Sequence, residues 1–133
     1  MKKIKTIFAL VALLVATNFI SAETKVDWRE KNRFHRSIGE TFHPMEEGDL
    51  KPIRSRSGEL VKNSIAWQQS QIPADFKDIK NIKKNLKLIV KQSKALDSKV
   101  KANASDEVIK KDLTGLHDTF HTIVGLCTHT EQH

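Results

Sequence analysis

The chain contains no tyrosine, only one cysteine, three prolines and five glycines among its 133 residues. A single cysteine excludes a scaffold held together by internal disulfides, because each bridge needs two thiols. The scarcity of glycine and proline excludes collagen-like and low-complexity chains. What remains is a chain rich in lysine, leucine, isoleucine and serine, and its length predicts one small folded domain.

The first 22 residues have the three-part pattern of a secretory signal peptide. Three lysines precede an apolar run over residues 7–15, and Ser21-Ala22 offers a small-residue cleavage site. The apolar run is shorter than the roughly 20 residues of a membrane-spanning helix. We therefore expect a cleaved signal peptide over 1–22, a periplasmic or secreted protein, and no membrane span in the mature form.

The charge of the mature chain gives little support for nucleic-acid binding. The signal carries three of the 23 basic residues and none of the 16 acidic ones, so the 111 mature residues have a net charge of +4. A charge of that size without a dense basic block does not indicate a nucleic-acid partner, and we expect none.

Hydrophobic spacing predicts four helices in a domain over residues 23–128. In each of four segments apolar residues recur every three or four positions, which places them on one helix face. Pro44 and Pro73 are expected to end the first two segments, and Ser105 is a good N-cap for the last one. No segment alternates as a strand would. The predicted helices cover about 27–43, 49–70, 75–102 and 105–128, followed by a flexible tail over 129–133.

Four helices of this length joined by short loops predict an all-α fold, an antiparallel up-down-up-down four-helix bundle. In that order the first and last helices are neighbours. The histidines lie on these two helices and in the tail, and none lies in the second or third segment. They are His35, His43, His117, His121, His129 and His133.

His117 and His121 form the sharpest candidate site. Four positions along a helix correspond to about 6 Å of rise and about 40° of rotation, so both imidazoles can bind one Zn²⁺ or Cu²⁺ ion. Antiparallel register places His35 level with His121. It places His43 nearer His117 or Leu113, so one of the two is a candidate third metal ligand, and a register slip of one turn would exchange them. Cys127 is either a thiolate ligand or reactive thiol, or a small apolar residue of the core stripe.

The chain resembles the cytochrome c′ group of four-helix cytochromes in its helix layout and in its Ile-Pro-Ala-Asp-Phe stretch at 72–76. That family carries Cys-x-x-Cys-His followed closely by an aromatic residue. Its two thiols hold haem covalently and its histidine is the axial ligand. Here His117 matches the ligand and Phe120 the aromatic residue, whereas Leu113 and Leu116 occupy both cysteine positions. The resemblance therefore implies a fold without covalent haem.

A non-covalent b-type haem remains compatible with the resemblance. His117 would be its axial ligand, Phe120 would lie beside it, and His35 would be a second ligand. Phenylalanines that either line such a flat pocket or simply form the core are Phe34, Phe42, Phe76 and Phe120. Cytochrome c′ proteins are often dimers, so the resemblance also implies a homodimer.

Three functions stay open, and none of them is catalytic. The sequence has no Gly-rich phosphate loop, nucleophile elbow or His-Glu-x-x-His motif, so we expect a protein that is not an enzyme. The first function is binding of a zinc or copper ion between the first and last helices. The second is electron transfer or gas sensing with b-type haem. The third is a structural or interaction domain without a cofactor, in which the histidines are solvated residues at helix edges.

Overall fold

The computed structural model describes residues 27–127, and these residues form four helices and no strand. This confirms the all-helical prediction. The predicted signal peptide over 1–22 and the predicted tail over 129–133 lie outside the described residues. The helices are α1 (Arg29–Glu46), α2 (Lys51–Gln69), α3 (Ile79–Lys101) and α4 (Asp106–Cys127).

The four helices share one apolar interior. Each helix packs on the next along the chain, and α1 also contacts α4. Burying a large aliphatic or aromatic side chain contributes about 1.5–3 kcal/mol each, so the interior dominates the stability of the fold. Its fully buried side chains come from all four helices and include Phe34, Ile38, Ile53, Leu60, Trp67, Leu86, Ile89, Leu113 and Leu116. None of the four described helices combines the length and apolarity needed to cross a membrane.

The end of α1 differs from the prediction that Pro44 stops the helix. The helix continues to Glu46 with Pro44 in its last turn. Met45 is buried in the core, and this packing offsets the hydrogen bond that a proline inside a helix loses. The helix ends at Glu46, and the chain turns two residues later at Gly48, whose φ is +92°. There the Asp49 N–H donates to the Pro44 carbonyl at 2.9 Å and the Gly48 N–H donates to the Met45 carbonyl at 3.0 Å, a glycine-terminated helix end.

Side-chain caps set the beginnings of the last two helices. The Ser105 hydroxyl accepts a hydrogen bond from the Val108 N–H at 3.3 Å, so Ser105 caps α4 as predicted. The third helix begins four residues later than the predicted start at 75, because Asp78 accepts from the Asn81 N–H at 3.3 Å. The segment before Asp78 turns to bury the Phe76 side chain in the core.

Aromatic rings fill the interior at the level of Phe120. The ring centroids of Phe34 and Trp67 lie 5.5 Å apart, and each of them lies 5.9 Å from that of Phe120. Trp28 extends the cluster, with its centroid 5.7 Å from Trp67 and 5.9 Å from Phe76. These rings pack against one another as core.

Candidate metal centre

One turn of α4 brings the rings of His117 and His121 into contact. Their Nε2 atoms lie 3.2 Å apart, and the ring planes meet at 79°. Two nitrogen ligands about 2.0–2.1 Å from a tetrahedral ion lie about 3.3–3.4 Å from each other. The pair therefore has the spacing for one shared ion or, without an ion, for one N–H···N hydrogen bond.

Phe42 of α1 holds the His117 ring in place. The two rings are stacked with centroids 3.8 Å apart and an angle of 6° between their planes. Phe42 is buried and His117 is half-buried, so the phenyl ring covers one face of the imidazole. The stack restricts the orientation in which His117 presents its Nε2 to His121.

The charge state of His117 depends on this environment. Its pKa is lowered, chiefly because burial disfavours the charged imidazolium, and further because positive charge on His121 and His43 repels it. Asp118 and Glu46 oppose the shift by attracting the charged form. A metal ion binds the neutral imidazole, so His117 keeps its metal-binding form at a lower pH than an unperturbed histidine.

His43 lies close enough to influence His117 electrostatically but does not complete a set of three ligands. Its ring is exposed, and its Nδ1 lies 3.2 Å from Glu46 Oε1. The ring also lies along α1 over Gly39, where an added Cβ would be 3.7 Å from His43 Cδ2. In residues 27–127, no group of three or more histidine, cysteine, aspartate or glutamate side chains is placed to hold a metal ion.

His35 contacts Phe120, the ring that also contacts His121. The His35 ring stacks on Phe120 with centroids 5.0 Å apart and 22° between the planes. The centroid of Phe120 is also 5.6 Å from that of His121. An aromatic side chain therefore contacts both His35 and His121, and the structure does not bring His35 into the ligand pair.

Cys127 is separated from the histidine pair. It lies six residues beyond His121 on α4, or about 9 Å of helix rise. It is buried, and burial raises the pKa of its thiol although Lys31 partly opposes the shift. A protonated, buried thiol is a poor metal ligand, so Cys127 has the properties of a core residue. His129 and His133 lie outside the described residues.

The residues that carry the resemblance to cytochrome c′ lie in or beside the aromatic interior of the bundle. Leu113 and Leu116, which stand at the two cysteine positions, are fully buried. Phe120, the matched aromatic residue, belongs to the ring cluster and His117 already carries Phe42 on one face. A haem on His117 would require these packed side chains to separate.

Sequence reasoning missed Phe42 as a residue of the site and considered it only as a core or pocket ring. Antiparallel register places position 42 beside position 117, so the closeness of these two residues could have been predicted from the sequence. Which ring stacks on His117 depends on side-chain rotamers in the packed interface. Glu46 was missed for a different reason, because α1 was expected to end before it.

No family model, curated protein or solved structure matches this chain. The likeness to cytochrome c′ therefore rests on the residues quoted above.

Proposed function

We propose that this is an exported, non-enzymatic four-helix bundle in up-down-up-down order that binds one Zn²⁺ or Cu²⁺ ion through His117 and His121. The observation that carries the proposal is the 3.2 Å separation of their Nε2 atoms. The helix order is supported by two ring contacts. Phe34 contacts Phe120, and Phe42, later on α1, contacts His117, which is earlier on α4. This order of contacts is that of two antiparallel helices.

The environment of the pair favours binding of an ion over a purely structural role. The Phe42 stack orders His117 in advance, which reduces the entropy lost when an ion binds. The lowered pKa of His117 favours the neutral imidazole that coordinates the ion. With two protein ligands, a tetrahedral ion keeps two further positions for water or another ligand. Such an open site suits an exchangeable ion, as in transport or buffering.

Calorimetric titration with Zn²⁺ and Cu²⁺ tests the proposal. We expect one ion per chain for the wild-type protein and loss of this binding in a His117→Ala/His121→Ala double variant. His35→Ala is the matched control, because His35 is also stacked on an aromatic ring but lies outside the pair. Equal heats for the wild type and the double variant would refute the proposal.

The two alternatives give different results in simple assays. Binding of b-type haem by His117 predicts a sharp, saturable Soret band with hemin that His117→Ala removes. We expect only a broad, non-stoichiometric rise, since the aromatic cluster occupies the interior. A cofactor-free domain predicts a melting temperature that neither metal ions nor chelators change.

A further inference from the structure

A second site lies between the end of α2 and the beginning of α3. A cavity of about 560 Å³ opens there, within the range of roughly 300–1,000 Å³ that small-molecule sites occupy. Ile72, Ile79 and Leu86 provide its apolar wall. Ile72 and Ile79 are half-buried and pack against the core, so this wall is continuous with the bundle interior. No histidine or acidic side chain lines the cavity.

The polar side of the cavity is positively charged. Lys83 and Lys87 line it and lie one turn apart on α3, so their side chains leave the helix on the same side. Within residues 27–127, neither has a carboxylate partner, in contrast to Lys99 and Lys101 at the other end of α3. Gln71 also lines the cavity and adds an amide that can donate hydrogen bonds.

The surrounding surface strengthens this positive potential. Residues 79–96 of α3 carry six lysines and no acidic residue. This local density of positive charge is not evident from the modest net charge of the mature chain. The carboxylate of Asp78, just before the helix, accepts hydrogen bonds from the backbone N–H and the side-chain amide of Asn81. Clustered charge of one sign raises the local concentration of ligands of the opposite sign. A ligand of this cavity should therefore be anionic at one end and apolar at the other.

We propose that the cavity binds a linear anionic amphiphile of the fatty-acid type. Its hydrocarbon chain lies against Ile72, Ile79 and Leu86, and its anionic headgroup lies between the ammonium groups of Lys83 and Lys87. The same chemistry is offered by a free fatty acid and by an anionic lipid in a membrane. The apolar wall and the lysines are both needed, so neither an uncharged amphiphile nor a short carboxylate should bind comparably.

Calorimetry with dodecanoate, kept below its micellar concentration, tests the site on the purified protein. We expect one molecule per chain, with dodecanol and acetate binding at least about tenfold more weakly. Lys83→Glu/Lys87→Glu should weaken dodecanoate binding about tenfold or more. Lys91→Glu/Lys94→Glu is the matched control, because it makes the same change in net charge on the same helix outside the cavity. Circular dichroism checks that each variant is folded.

Sedimentation with phosphatidylglycerol vesicles distinguishes the two sources of the ligand. Binding of dodecanoate alone, lost in the Lys83/Lys87 variant, identifies a free acid as the ligand. Binding of vesicles alone, lost in the same variant, identifies a lipid headgroup, and binding of both supports the shared chemistry. The proposal is overturned if neither probe binds, if dodecanol binds as tightly as dodecanoate, or if the two lysine variants weaken binding equally.

Discussion

The imidazole of His117 lies parallel to the phenyl ring of Phe42, with 3.8 Å between the ring centroids. This contact joins the first and last helices at the candidate metal centre. It covers one face of His117, which contributes to the burial that lowers the histidine pKa, and it orients the ring toward His121. Helix packing and protonation are therefore coupled at His117, the side chain that we propose as a metal ligand.

The stability of the protein should depend on the protonation of His117. Its folded-state pKa is lowered relative to an unfolded value of about 6.5, so the unfolded chain binds more protons between the two values. The free energy of unfolding should therefore fall as the pH is lowered from about 6.5 through the folded-state pKa, and be fully retained above that range. Urea unfolding at pH 8 and pH 5 should show a smaller loss for His117→Gln than for wild type. An equal loss in both proteins would contradict this origin.

Replacing Phe42 by leucine should alter His117 without unfolding the bundle. Leucine keeps an apolar side chain and should cost about 1 kcal/mol, but it removes the flat surface on which the imidazole stacks. We expect the pKa of His117, measured by NMR titration, to rise toward its ordinary value, and Zn²⁺ affinity to fall. Phe34→Leu is the control, because Phe34 is buried on the same helix but packs against Trp67 and Phe120. A similar pKa change in both variants would refute a specific role for the stack.

The two leucines Leu116 and Leu88 should respond very differently to truncation. Leu116 is fully buried on α4, and its change to alanine should lower the free energy of unfolding by about 2–5 kcal/mol. Leu88 on α3 is 42% exposed, so the same change there should stay within about 0.5 kcal/mol. Urea denaturation measures both values. Comparable losses would mean that the outer face of α3 is covered by a partner in solution.

Ser93 should be replaceable by alanine with a gain in stability. Its hydroxyl is fully buried on α3 and has no hydrogen-bond partner among the described atoms. Removing such a group should raise the free energy of unfolding by about 1 kcal/mol. Ser64→Ala is the control, because that equally buried hydroxyl donates to the Val61 carbonyl at 2.9 Å and should not give the gain. A loss of stability in Ser93→Ala would show that the hydroxyl is hydrogen-bonded in solution.

Cys127 should react slowly with thiol reagents in the native protein. Burial limits access to the thiol and raises its pKa, and both effects lower the amount of reactive thiolate. Reaction with a chromogenic disulfide should be slow in buffer and fast in urea. Cys127→Ala should leave Zn²⁺ binding unchanged. Loss of binding in this variant would show that the thiol is a metal ligand.

The helices were predictable because each depends on local information. The three- and four-residue spacing of apolar side chains identifies all four segments, and Ser105 marks the beginning of α4 correctly. The prediction failed at the end of α1, where proline was expected to terminate the helix. Burial of Met45 and the positive φ of Gly48 move that end by three residues, and burial of one side chain is a property of the whole fold.

The amino-acid sequence by itself determined the pairing of His117 with His121, because residues four apart on a helix lie on the same face wherever that helix packs. It also determined that lysines would dominate one stretch of α3. Only the tertiary structure decided that Phe42 stacks on His117, that Phe120 contacts His35, and that Lys83 and Lys87 border a cavity. These relationships join different helices, and they depend on register and on rotamers selected by close packing, which the spacing within a single segment does not specify.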